Sequence, residues 1–412
     1  MRKFDRCIEF HNIRTLPKIT KFARDNDFEM KKLIFLLCVL STVEFVSAAQ
    51  IRLEYDVRFD FRFDNREYDR SGFQRSCTLF GARLEPSVGF SADAGKTHHC
   101  LMAGIDALAQ FGATDRETAL NLMFWYRLGM TYGKTDFNIT AGLMPRYFSK
   151  GEWSPAFFSD ELKFYDNRFD GIIFSWDNPK YYFELGCDWN GLYGAERREE
   201  FMIFTSGRYR PVKWFRAGWE AYFHHYSCSW KASGVCDDIL AEPYVLFDFG
   251  HFAHIQELSI RAGWIQALQR DRKFIGHFVA PYAGEIVATV QHWGAGISNR
   301  FTAGRNLQPY WYHTDDTGAV YGNAFYKGDP FYQMTDPRSD GWTGINNGST
   351  RDLSSGLYDR LEIYYAPKIC RGVDIKASLF FHFHSGQYSG TNQSVSILFD
   401  LHELMSFIKA RK

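Results

Sequence analysis

No run of 18 consecutive apolar residues occurs anywhere in the chain, which excludes a membrane-spanning helix. Charge of one sign is equally absent. The 48 basic residues balance 48 acidic ones, so neither a nucleic acid nor an acidic partner is expected. Familiar chemical motifs are scarce as well. No Gly-x-Ser-x-Gly occurs and no Ser stands apart from the rest, so nothing marks a serine nucleophile. Gly95-Lys96-Thr97 and Gly133-Lys134-Thr135 look like the end of a phosphate-binding loop, but Phe90 and Leu128 stand where that motif needs its first Gly. Each also lies between strand-like runs rather than before a helix, so both read as turns. His382 and His384 share a strand face, yet antiparallel pairing puts His402 on the order of 35 Å away along the sheet. His98-His99 and His224-His225 send one ring to each face. No metal site and no cofactor is expected.

What the chain has in quantity is aromatics: 39 Phe, 23 Tyr and 11 Trp, or 18% of residues. The mean hydropathy is nevertheless −0.33. Both facts suit strands in which only every second residue is apolar. Ile51 to Asp64 shows the pattern without a break: Ile51, Leu53, Tyr55, Val57, Phe59, Phe61 and Phe63 alternate with Arg52, Glu54, Asp56, Arg58, Asp60, Arg62 and Asp64. Side chains of a strand alternate between faces. One face is therefore apolar and the other charged, over a length about twice that of a common strand.

Upstream, Met30-Lys31-Lys32, the apolar run Leu33 to Leu40 and Val46-Ser47-Ala48-Ala49 have the order of a secretory signal peptide. The expected organisation is an upstream extension at 1–29, a signal peptide at 30–49, a barrel at 50–403 and a tail at 404–412. Cys38 lies inside the apolar run, which does not suit a lipid anchor. Cys77, Cys100, Cys187 and Cys370 read as packing residues. Cys228 and Cys236 flank a short loop in an exported chain, where a disulfide is permitted.

Alternation recurs along the chain. Ala119 to Tyr132 puts Leu120, Leu122, Phe124, Tyr126, Leu128 and Met130 on one face. Trp214 to Tyr226 sets Phe215, Ala217, Trp219, Ala221 and Phe223 against Arg216, Gly218, Glu220, Tyr222 and His224. About 16 such runs occur, joined alternately by long and short connections, the asymmetry of a transmembrane up-and-down antiparallel barrel with long surface loops. A barrel of that size is too wide for its wall side chains to fill, which assigns the charged face to a wet interior.

With its Met30 to Ala49 leader, its hairpin asymmetry and its closing strand Val395 to Leu401, the chain from Ala49 to His402 resembles the porin-like outer-membrane barrels of Bacteroidetes-type bacteria. It departs from them at the end, where Glu403 to Lys412 follows the last strand in place of a terminal aromatic. The resemblance implies an all-β fold and outer-membrane localisation.

The expected pore-lining set is Arg52, Glu54, Asp56, Arg58, Asp60, Arg62, Asp64, Arg216, Glu220, Arg261, Glu285, Arg300, Arg360, Glu362, Asp374 and Lys376. Pro145 to Arg168 is charged and aromatic at once, and suits a constriction loop carrying Lys150, Glu152, Asp160, Glu161, Lys163 and Asp166. Packing of that loop over the outer rim is the alternative. Arg305 to Ser355 is a very long loop whose aromatics suit a self-packed cap or a glycan-binding lid. The expected function is passive diffusion of small polar solutes, without catalysis. Partners would be membrane lipid and those solutes, with homo-oligomerisation left open. The alternatives are a plugged surface-binding or envelope-assembly barrel, and a barrel enzyme acting on lipid.

Overall fold

The computed structural model describes residues 50–68, 76–112, 119–273, 277–315, 317–334 and 355–405. The expected upstream extension at 1–29, the expected signal peptide at 30–49 and most of the expected tail lie outside them. Seventeen strand segments form one antiparallel sheet, and the first, Arg52–Glu67, pairs both with Cys77–Ala94 and with the last, Gln387–Asp400. The sheet is therefore a closed barrel. One segment, Lys368–Cys370, is only three residues long and decorates the hairpin between Ser355–Tyr365 and Val373–His384. The other 16 make the wall.

Alternation sorts the wall residues as the two solvents demand. Leu120, Leu122, Phe124 and Tyr126 are exposed on the outside of Ala119–Tyr132, whereas Met123 and Trp125 between them are buried inside. Exposed Trp176, Trp214, Trp293, Tyr209 and Tyr365 ring the end with the short turns, where amphipathic rings suit a membrane interface. Strands of 10 to 18 residues are long enough to cross a bilayer core at a steep tilt. The start of the first strand at Arg52 and the end of the last at Asp400 share the short-turn end, which is the periplasmic one in such barrels.

The interior departs from the wet lumen that the wall pattern suggests. Phe157 and Phe158 of one loop and Leu307, Phe331, Tyr332 and Met334 of another are all nearly inaccessible, packed into a core with inward-facing Met123, Trp125, Met202, Phe204 and Tyr222. Two extracellular loops have folded into the barrel. Apolar wall residues on the inward side are the reason: left facing water they would oppose folding, and the loop aromatics cover them. A short helix, Asp160–Tyr165, forms within the first loop, capped by Ser159, whose Oγ accepts from the Leu162 N–H at 3.0 Å.

Cys228 and Cys236 carry free thiols. The bridge that their spacing permits is not formed: Cys236 points inward to Tyr321 beneath the cap.

Candidate functional site

As a bacterial outer-membrane β-barrel, the chain can do chemistry at three surfaces: the lumen, the extracellular cap and the lipid-facing wall. Its lumen is occupied by ion pairs that hold the two inserted loops. Arg62 Nη1 donates to the Asp160 carbonyl, Arg66 pairs with Glu161 at 2.5 Å, Arg360 lies 3.6 Å from Asp160, and Arg216 is bonded to Glu152. Glu285 is the densest anchor. It accepts from Tyr332 Oη at 2.6 Å, Ser154 Oγ at 3.1 Å, Thr302 Oγ1 at 3.2 Å and Arg261 Nη1 at 3.3 Å, and it also pairs with Arg300. Arg261 reaches Glu242 at 2.6 Å and Glu220 at 3.7 Å.

The remaining residues of the expected pore lining are spread along the wall. Arg52 pairs with Asp93 near the periplasmic mouth, Glu54 accepts from Ser91 Oγ, Asp56 accepts from the His402 N–H, and Asp64 pairs with Arg66. Arg58 stacks on Tyr147 with 4.0 Å to the ring centroid, Lys376 pairs with Glu362 at 2.5 Å, and Asp374 is exposed. In the inserted loop, Lys150 pairs with Asp177, Lys163 with Asp160, and Asp166 with Arg146. These groups hold structure together. None forms a nucleophile with a base beside it.

Four His–carboxylate pairs remain among the described residues. His98 meets Asp93 at 2.8 Å in an exposed contact near the periplasmic turn. His224 meets Glu200 at 2.9 Å, faces inward and stacks on Phe325. His313 meets Asp271 at 2.6 Å, buried under the cap. His225 differs from all three in its facing. On the strand Phe215–Tyr226, His224 goes in and His225 goes out, its ring 5.1 Å from that of outward-facing Phe201. His225 Nδ1 lies 2.8 Å from Asp237 Oδ1.

The register sets the depth of this pair. Phe223, Ile239 and Leu268 lie opposite one another on three neighbouring strands, and the next outward row toward the extracellular end is His225, Asp237 and Arg270. The pair thus sits at the upper edge of the apolar belt, where acyl chains give way to headgroups. Asp237 is only 2% exposed because it is enclosed by donors. Arg270 Nε and Nη2 reach Oδ2 at 3.2 and 2.8 Å, and Arg272 Nε and Nη2 reach the two carboxylate oxygens at 2.9 and 3.1 Å. His225 Nε2 makes no hydrogen bond among the described residues, so with Nδ1 held by the carboxylate it is free to take a proton.

Two residues beyond His225, just past the end of the strand, lies Ser227, which is buried. Its N–H donates to the Glu199 carbonyl at 2.7 Å, and its Oγ lies 3.8 Å from Cys228 Sγ. Ser227 thus brings a hydroxyl within two residues of the imidazole–carboxylate pair, with no hydrogen bond between Ser227 Oγ and His225 among the described residues.

A second hydroxyl–imidazole contact can be dismissed on proton count. Thr97 Oγ1 lies 2.9 Å from His99 Nε2, and Tyr126 Oη 2.6 Å from His99 Nδ1. Thr97 already donates its one hydroxyl proton to the Ala94 carbonyl at 2.8 Å, so it can only accept from Nε2. That tautomer leaves His99 unable to act as its base.

His225, Ser227 and Asp237 were not singled out from sequence. A signal was available: His225 lies near the end of one alternating strand and Asp237 near the start of the next. The same parting of rings that makes His224-His225 a poor chelate turns His225 outward.

The model of a family described as Lipid A 3'-O-deacylase-type matches residues 46–242, a stretch that includes all three residues. This match to an enzyme family corrects the expectation that the chain has no catalytic function. No curated protein matches the chain. Among solved structures, a loop L8 deletion mutant of OmpT, an outer membrane protein of Vibrio cholerae, is similar at 8% identity and TM-score 0.49, covering 85% of this chain and 99% of that one. OprD of Pseudomonas aeruginosa is similar at 10% identity and TM-score 0.42, covering 84% and 92%. Neither likeness bears on what the chain does.

Proposed function

We propose that the chain is an outer-membrane hydrolase that removes an ester-linked acyl chain from an anionic glycolipid of the outer leaflet. The observation that carries this reading is the His225–Asp237 pair, facing lipid at the top of the apolar belt. In this scheme Ser227 Oγ turns from Cys228 onto His225 Nε2, which takes its proton as Oγ attacks the acyl carbonyl. Asp237 keeps His225 in the tautomer with Nε2 bare and stabilises the imidazolium that forms. The imidazolium then protonates the departing alkoxide, leaving an acyl-serine. Water, deprotonated by His225, releases the fatty acid and restores Ser227. Arg270 and Arg272, 28% and 48% exposed at the side chain, are placed to hold a headgroup anion beside the ester.

Two further facts support this reading over passive diffusion: the family match, and a lumen in which two loops are packed against the wall. The test is fatty-acid release, read by mass spectrometry, from vesicles containing lipid A and the purified full chain. Ser227→Ala and His225→Asn should each lower the rate by about 1,000-fold or more. Release at the unsubstituted rate by Ser227→Ala would overturn the assignment.

A further inference from the structure

Beneath the loop Pro145–Arg168, a cavity of about 350 Å³ lies against the inward face of the first strand. Its charged lining is lopsided: Arg58, Arg62, Arg146 and Lys163 against Asp60 alone. Arg146 is only 8% exposed, and its Nη1 makes no hydrogen bond among the described residues. Arg62 Nε is buried in the same condition, and Arg62 has no carboxylate within 4.0 Å among those residues. Buried guanidinium N–H groups are ordinarily paired. Two such groups belong to residues of this one cavity, where Arg62 and Arg146 also lie over the rings of Phe164 and Phe169.

Carboxylates do stand behind these cations. Asp166 and Asp188 engage Arg146 through Nη2, at 3.1 and 3.5 Å, which leaves Nη1 over. Glu85 and Asp400 are 4.0 and 3.9 Å from Arg58, and Asp160 is 3.8 Å from Lys163. These are loose contacts rather than closed forks, and of all the carboxylates only Asp60 lines the cavity. Ser149 and Asn167 add neutral hydrogen-bonding groups to the lining.

We propose that this cavity binds a small, multiply charged oxyanion, bearing phosphate or carboxylate groups, between Arg62, Arg146 and Lys163. Guanidinium forks match the planar oxygens of either group, and an ammonium supplies a point charge beside them. The site lies inside the barrel, on the far side of the wall from His225. It stands whether or not the chain hydrolyses lipid.

Isothermal titration of the purified full chain in detergent with pyrophosphate, and separately with citrate, tests the proposal and tells the two chemistries apart. One saturable site for at least one anion is expected. Lys163→Gln and Arg62→Gln should each weaken it tenfold or more, with folding checked by heat-modifiable gel mobility. Lys231→Gln, on an exposed extracellular loop, should leave it unchanged. Absence of saturable binding with both anions would overturn the proposal, as would equal affinity in Lys163→Gln, a change of one loop side chain that leaves every wall strand intact.

Discussion

Replacing Asp237 by Asn separates a catalytic role from a structural one. The carboxylate accepts from His225 Nδ1 at 2.8 Å and from four guanidinium N–H groups between 2.8 and 3.2 Å. An amide keeps the shape, removes the charge and turns an NH2 group toward some of those donors. Breaking a fully buried pair costs about 3–5 kcal/mol. Here both arginines are partly exposed and can turn to water or headgroups, so the cost to folding should be about 1–2 kcal/mol. The cost to the reaction should be larger. With the carboxylate gone, His225 no longer holds its proton on Nδ1, and loss of the correct tautomer lowers acyl transfer by about 10,000-fold in a Ser-His-Asp triad. That factor corresponds to about 5.5 kcal/mol. Fatty-acid release per folded molecule is the assay, with the folded fraction taken from heat-modifiable mobility. A fall of less than tenfold in fully folded protein would refute the orienting role, and with it the outward dyad as catalytic machinery.

Phe59→Arg puts a cation on the lipid face and should cost about 2–4 kcal/mol of folding in bilayers near the midplane, whereas Arg58→Ser, which loses the Tyr147 stack and two contacts near 4 Å, should cost about 1 kcal/mol; equal folding yields would contradict the facing. Glu285→Ala leaves Arg300 and Arg261 without their shared buried carboxylate and should loosen the inserted loops, seen as higher single-channel conductance than the unsubstituted chain; unchanged conductance would show that this anchor does not hold them. Alkylation after unfolding without reductant should modify both Cys228 and Cys236, because neither is bridged, and Cys228→Ala should keep its hydrolytic rate.

Much of the wall was legible because each strand separates two media. Ala119–Tyr132 and Val373–His384 have the bounds that alternation assigns them. The first strand runs slightly further than its pattern, to Glu67. Where the inward face carries Met and aromatic residues, as at Met123, Trp125, Met202 and Phe204, period two still gives the strand but not what fills the space behind it. That filling comes from loops distant in sequence, and no local pattern pairs Phe157 with Tyr222 or Phe331 with Tyr358. The outward site was missed for a related reason. Asp237 reaches His225 only through the register of two strands across a nine-residue connection, 227–235, and that register is a property of the closed sheet.

The single strand Phe215–Tyr226 carries His224 and His225 into different media, which makes its length a ruler. Deleting one residue below the pair would exchange the two rings, sending His225 among the loop aromatics and His224 into the lipid. Deleting two would restore the facing but lower the imidazole by about 6–7 Å along the strand, from the headgroup boundary into the acyl chains, where neither water nor a polar ester is at hand. Natural variants of such a wall should therefore tolerate changes of side chain far better than changes of count, and insertions should gather in the loops, where a residue gained alters no depth.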